Sequence, residues 1–159
     1  MSFSIKRNDI KESSQCGQFY FKLNKLLEKS ERPLIILGAG VRISASSQLV
    51  RSFIEDLNVP FVTTWGAKDL FDENFELNIG TFGVCGPRTG NWAISDCDLL
   101  IVLGARLNQM QIGGNAKEFA PQATKVLVDL EIAEIEKFKA LGVNIDLNLK
   151  IDLKLFLSK

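Results

Sequence analysis

The chain has 159 residues, enough for one domain with a full core, and its 46% hydrophobic and 24% charged residues exclude a disordered or fibrous protein. Nineteen basic and nineteen acidic residues cancel, which argues against the clustered positive field of a nucleic-acid partner. No apolar run approaches the ~20 residues of a membrane span, the N-terminal "MSFSIKRNDIKESS" has no hydrophobic signal region, and the complete absence of histidine removes every mechanism that needs an imidazole base, electrophile or zinc ligand from this chain. A cytoplasmic protein is expected, with neither membrane nor nucleic acid among its partners. Cys16, Cys85 and Cys97 have no metal-ligand spacing and are an odd number, which reads as reduced thiols.

Residues 1–15 are polar enough for a flexible linker. "CGQFYFKLNKLLEKS" (16–30) then places Phe19, Leu23, Leu26 and Leu27 on one helical stripe and stops before Pro33. The run "PLIILG" (33–38) is a strand between Pro33 and Gly38. A helix over 43–58 carries Leu49, Val50, Phe53, Ile54 and Leu57 on one face, with Ser44 or Ser46 as its cap. "PFVTTW" (60–65) is the second strand, and a glycine loop, "GTFGVCGPRTG" (80–90), leads into a short helix over 89–97. "DLLIVLGAR" (98–106) and "KVLVDL" (125–130) follow as strands, then a helix over 131–138, a short fifth strand "GVNIDL" (142–147) and a last helix in "KIDLKLFLSK". Three of the strands are continuously apolar and do not alternate, as expected of parallel strands covered on both faces. The pattern predicts a single α/β domain over 16–159, a doubly wound, mostly parallel sheet of the Rossmann-like three-layer kind, with Leu99–Leu103 at its centre.

Glycines stand where the strands end: Gly38 and Gly40 after the first, Gly104 with Ala105 after the third, and more in the 80–90 loop. Such corners let backbone N–H groups approach a pyrophosphate beside a helix N-terminus; equally, glycine can merely permit the turn. The dinucleotide fingerprint fails, because Ile43 stands at its third glycine and no acidic residue follows about 20 residues on. "GAGVRISAS" also resembles the opening of the sirtuin deacylases, but without histidine or a four-cysteine module that reading falls.

From Arg32 to Leu157 the chain resembles the central domain of thiamine-diphosphate enzymes of the acetolactate synthase family. "RPLIILGAG", "VPFVTTW", "IGTFGVCGPRTGNWAISDCDLLIVLGARL", "EFAPQATKVLVDLEIAEIEK" and "VNIDLNLKIDLKLFL" carry the likeness. "GPRTGN" and "GARLNQMQIG" are closer to acetolactate-synthase-like members than to the biosynthetic enzyme. The resemblance implies a parent of three domains, this one in the middle with a six-stranded parallel sheet, working as a dimer or tetramer on 2-oxo acids by decarboxylation and C–C bond formation. Thiamine diphosphate and Mg²⁺ would be held by the other two domains. The Gly-Asp-Gly motif that begins the magnesium site is absent here, and so is the domain with the activating glutamate. This implies an excised or truncated piece, inert by itself and monomeric or weakly dimeric.

Some members hold FAD or an adenine nucleotide in this domain. The resemblance would put the contacts on Gly38, Ala39, Gly40, Thr64 and Trp65, on Gly83, Val84 and Cys85, on Gly104, Ala105 and Arg106, and on Asp129 with Leu130. Arg106 can pair with a pyrophosphate or make a salt bridge. Asp129 can accept from a ribose hydroxyl or cap the helix after it. Trp65 can stack on a ring or belong to the core. Where the flavin enzymes continue with an acidic pair and a second arginine, Leu107, Asn108, Gln109 and Met110 stand. The three corners are therefore expected to form one shallow cleft that takes ADP more readily than FAD, and weakly. The alternative reading is a stand-alone nucleotide-binding module without catalysis.

Overall fold

The computed structural model describes residues 14–158. The expected linker over 1–15 lies outside them, except for Ser14 and Gln15, with which the first helix opens. Six parallel strands form one sheet: β1 (Pro33–Leu37), β2 (Phe61–Thr63), β3 (Asn78–Thr81), β4 (Leu99–Leu103), β5 (Thr124–Asp129) and β6 (Leu147–Lys150), in the order β3-β2-β1-β4-β5-β6. Helices α1 (Ser14–Lys29), α2 (Gly40–Ile43), α3 (Ser47–Leu57), α4 (Arg88–Asp96), α5 (Gln109–Ile112), α6 (Ile132–Ala140) and α7 (Leu153–Leu157) flank it.

The unbroken apolar strands now have a physical reason. Ile35 and Leu37 of β1, Leu99, Ile101 and Leu103 of β4, and Val126 and Val128 of β5 pack under α1, α3 and α7. Their neighbours Leu34, Ile36, Leu100, Val102 and Leu127 pack under α4, α5 and α6 on the other face. Both faces are covered, so alternation would leave polar groups buried. β4 lies between β1 and β5, with Leu103 in register with Leu37 and Val128, which places Leu99–Leu103 at the centre as expected.

The structure differs from the sequence expectation at the sheet margins and in one helix. β3 was hidden in the approach to the glycine loop; it is an edge strand, half-buried throughout, with Gly80 at φ 106°. The last strand is 147–150, not 142–147. It begins where the expected run ends, because Asp146 is held by the Lys125 N–H (2.8 Å) and the chain joins β5 only from Leu147. The helix expected over 43–58 is two helices. Ala45 sits at φ 53°, the Ser44 hydroxyl donates back to the Gly40 carbonyl (2.8 Å), and the Ser46 N–H donates to Val41. α3 then runs from Ser47 and ends at Asn58 in the left-handed region, φ 53°. Ser46 stands at its N-cap position without a capping side-chain bond.

Candidate functional site

The strand order reverses between β1 and β4, and in open parallel sheets the ligand crevice lies outside the carboxyl ends of the strands at that point. Two glycine corners meet there. The Gly38 N–H donates to the Leu103 carbonyl (2.9 Å), and the Gly40 N–H donates to the Gly104 carbonyl (3.0 Å). A Cβ on Gly38 would lie 2.0 Å from the Gly104 oxygen, and one on Gly40 would lie 2.8 Å from it. Gly104 itself has φ 58° and donates to the Val128 carbonyl (3.1 Å). These glycines are explained by backbone meeting backbone, and their donors are already spent.

Above the corners lies a cleft of about 600 Å³. Ala39, Gly40, Thr64, Trp65, Gly104, Ala105, Arg106, Asp129 and Leu130 of the expected set all line it, while Gly38 is buried beneath. Gly83 and Val84 do not; they line a neighbouring depression of about 370 Å³, and Cys85 is exposed beside it, lining neither. The cause is local. Asn91 grips Gly83 through both its N–H (2.9 Å) and its carbonyl (3.1 Å), and the Val84 N–H donates to the Met110 carbonyl (2.9 Å). The 80–90 loop is thereby folded onto α5, away from the two corners.

The three side chains with open alternatives resolve as follows. The Arg106 Nε donates to Glu134 Oε1 (2.8 Å), so its guanidinium is in an ion pair while remaining largely exposed. Lys137 closes the knot by donating to Glu134 and to the Arg106 carbonyl. Burial pushes the Glu134 carboxyl up, but Lys137 and Arg106 outweigh it and hold the group below its ordinary value. Asp129, 8% exposed, accepts the Glu131 N–H (3.0 Å) just before α6. Trp65 is 51% exposed at the start of a 3-10 turn (Trp65–Leu70), so the core reading of this tryptophan is corrected.

Several lining residues were not expected: Ile43, Glu131, Glu134, Ile151, Asp152 and Leu153. Asp152 had a signal, since an Asp before an apolar run is a cap, and it does accept from Lys154 (2.8 Å) and Leu155 (3.4 Å). Glu134 had none; only the fold brings α6 over Arg106. With Asp129, Glu131, Glu134 and Asp152 against one arginine, the cleft carries a negative field. The spent glycine donors, the paired arginine and this field disfavour a diphosphate at the corners, and α2, a single turn, supplies no strong helix terminus. The geometry does not support the nucleotide-module alternative.

Residues 22–159 match the central domain of the thiamine pyrophosphate enzymes. The chain belongs to that family. This thiamine pyrophosphate enzyme central domain is 37% identical over 116 residues to a probable acetolactate synthase large subunit of Methanocaldococcus jannaschii, covering 73% of this chain and 20% of that protein. Its identity to the probable acetolactate synthase large subunit of Methanococcus aeolicus is 35% over 138 residues, covering 87% and 22%. To the isozyme 2 large subunit of Escherichia coli K12 it is 29% over 126 residues, covering 78% and 23%. The central domain thus spans about a fifth of the length of the curated relatives it matches.

Proposed function

We propose that residues 16–159 serve as the middle domain of a larger acetolactate-synthase-type enzyme, which decarboxylates a 2-oxo acid and joins the resulting carbon unit to an acceptor. The observation that carries this is the family match over 22–159, in a chain whose matched segment makes up about a fifth of its relatives. Thiamine diphosphate and Mg²⁺ would be held by the other domains, and the residues present here do not fit them. There is no Gly-Asp-Gly, and among the described residues no three Asp, Glu, Cys or His groups are placed to share a metal. The spent glycine donors, the paired Arg106 and the excess of carboxylates likewise disfavour FAD or ADP in the cleft.

In this reading the domain supplies a rigid sheet and a docking edge, and the reaction belongs to the parts that flank it. The parent assembles as a homodimer or homotetramer in the cytoplasm; among the described residues no helix is long and apolar enough to cross a membrane.

A chimera tests the reading. Residues 22–159 replace the matching segment of the Methanocaldococcus jannaschii relative, and acetolactate formed from pyruvate is measured with thiamine diphosphate and Mg²⁺. The chimera should turn over and the isolated chain should not. A folded chimera without turnover, or turnover by the chain alone, overturns the proposal.

A further inference from the structure

Three large apolar side chains stand in solvent around the mouth of the cleft. Ile43 is 85% exposed, Leu130 55% and Trp65 51%, and all three line the same opening. Beneath them the floor is small and apolar, formed by Ala39 and Ala105. Large apolar side chains exposed around one opening point to an interaction site.

The charges at the rim select what covers it. Asp129, Glu131 and Asp152 line the opening, and none of them is in an ion pair among the described residues. Arg106, the cation in the cleft, is turned to Glu134. Four carboxylates against the one guanidinium of Arg106 leave the opening net negative, which disfavours an anion. A second copy seated face to face would bring the same carboxylates against themselves, as a two-fold contact requires.

We propose that this cleft is the docking site for a segment of the enzyme outside this domain, one that carries an apolar side chain flanked by lysine or arginine. The apolar group covers Ile43, Leu130 and the Trp65 indole; the cation lies between the indole face and the carboxylate of Glu131, where cation–π and ionic attraction add. The length of the relatives, about five times that of the matched segment, supplies the chain from which such a segment comes. The inference rests on the reading of the chain as one domain of a larger enzyme.

The test uses the whole 159-residue chain with Trp92→Phe, which leaves Trp65 as its single indole; Trp92 lies away from the cleft on α4. The probes are acetyl-Arg-Phe-Leu-Arg-amide and its acidic counterpart acetyl-Glu-Phe-Leu-Glu-amide, followed by Trp65 fluorescence. The basic peptide should give a saturable change that weakens with salt, and the acidic one should give none. Glu131→Gln should weaken the basic peptide by about threefold, the scale of one exposed ion pair, and Ile43→Ser should weaken it further with unchanged circular dichroism. Equal binding of both peptides, or no effect of either substitution, overturns the proposal. So does a micromolar dimer, seen by light scattering, that Ile43→Ser abolishes, because a second copy would then be the occupant. Acetolactate formation by the chimera does not enter these readouts, so the two proposals fail separately.

Discussion

Gly38 and Gly104 hold β1 and β4 together by direct backbone contact: a Cβ on Gly38 would stand 2.0 Å from the Gly104 carbonyl oxygen and 2.4 Å from the Ala105 Cα. No side chain can yield there. Gly38→Ala should cost ~3 kcal/mol or more, since overpacking against backbone forces the corner apart. In a domain of this size that lowers the melting midpoint by roughly 10 °C. Gly114→Ala is the control, because nothing lies within 4 Å of its Cβ position and the effect should stay within ~0.5 kcal/mol. Thermal unfolding of both variants decides it; equal midpoints would remove the packing account of the corner.

The opposite edge of the sheet is tied by Asp98. Burial pushes its carboxyl up, but the Ser30 hydroxyl, the N–H groups of Glu31 (2.8 Å) and Arg32 (3.0 Å) and the Arg32 charge outweigh that and hold it below the usual carboxylate range. A carboxyl that takes its proton less readily folded than unfolded adds stability above about pH 4, its unfolded value. That stability is lost as the pH falls through the folded value. Asp98→Asn should therefore be less stable than the parent at pH 7 by about 1 kcal/mol, the scale of its hydrogen bonds. The gap should close under acid. Urea titrations at pH 7 and pH 3 read this, and a gap that does not narrow between them contradicts it.

Much of this scaffold was legible beforehand, and the illegible parts share a cause. β1, β4 and β5 announced themselves because both faces are covered, which writes five apolar residues in a row in β1 and β4 and three in β5. β3 and β6 are edge strands with partial cover, so their sequences, "NIGT" and "LNLK", alternate or stay neutral. The helix over 43–58 kept its apolar period through a break made by Ser44 and Ala45, which periodicity cannot register. In the site, glycine marked both corners. What those glycines touch is each other, and the partner of Arg106 sits 28 residues away on α6, a pairing no local pattern encodes. Trp65 stayed open between cleft and core for the same reason: its exposure depends on where the 3-10 turn after β2 points.

The thiols should separate by reactivity. Cys85 is exposed, whereas the Cys97 thiol donates to the Ile94 carbonyl (3.1 Å) and is pushed up to about 12 by burial, with Lys125 opposing. The thiolate is the reactive form. A thiol–disulfide reagent at pH 8 should label Cys85 in the native chain and Cys97 only after denaturation. Peptide mapping that finds Cys97 labelled at the rate of Cys85 would show the α4–β4 turn to be open.

Millimolar ADP or FAD should leave the melting midpoint unmoved. A ligand at about 100 times its dissociation constant would add ~2.7 kcal/mol and several degrees, on the order of 5 °C or more, an effect easily seen. Arg106→Ala should leave the response to nucleotide unchanged, because its guanidinium is already paired with Glu134. A shift with ADP that the variant abolishes would show that Glu134 releases the arginine on demand.

Tyr20 and Phe156 belong to opposite ends of the sequence, yet the Tyr20 hydroxyl donates to the Phe156 carbonyl (2.6 Å) and their rings stack at 5.3 Å. α1 runs from that contact down to Ser30 and Asp98 at the amino edge of the sheet, so its first turn stands on the same side as α7. The first and last helices of the described residues therefore meet. A contact of this kind couples the two helices: loosening α1 at Tyr20 also uncovers Phe156 on α7.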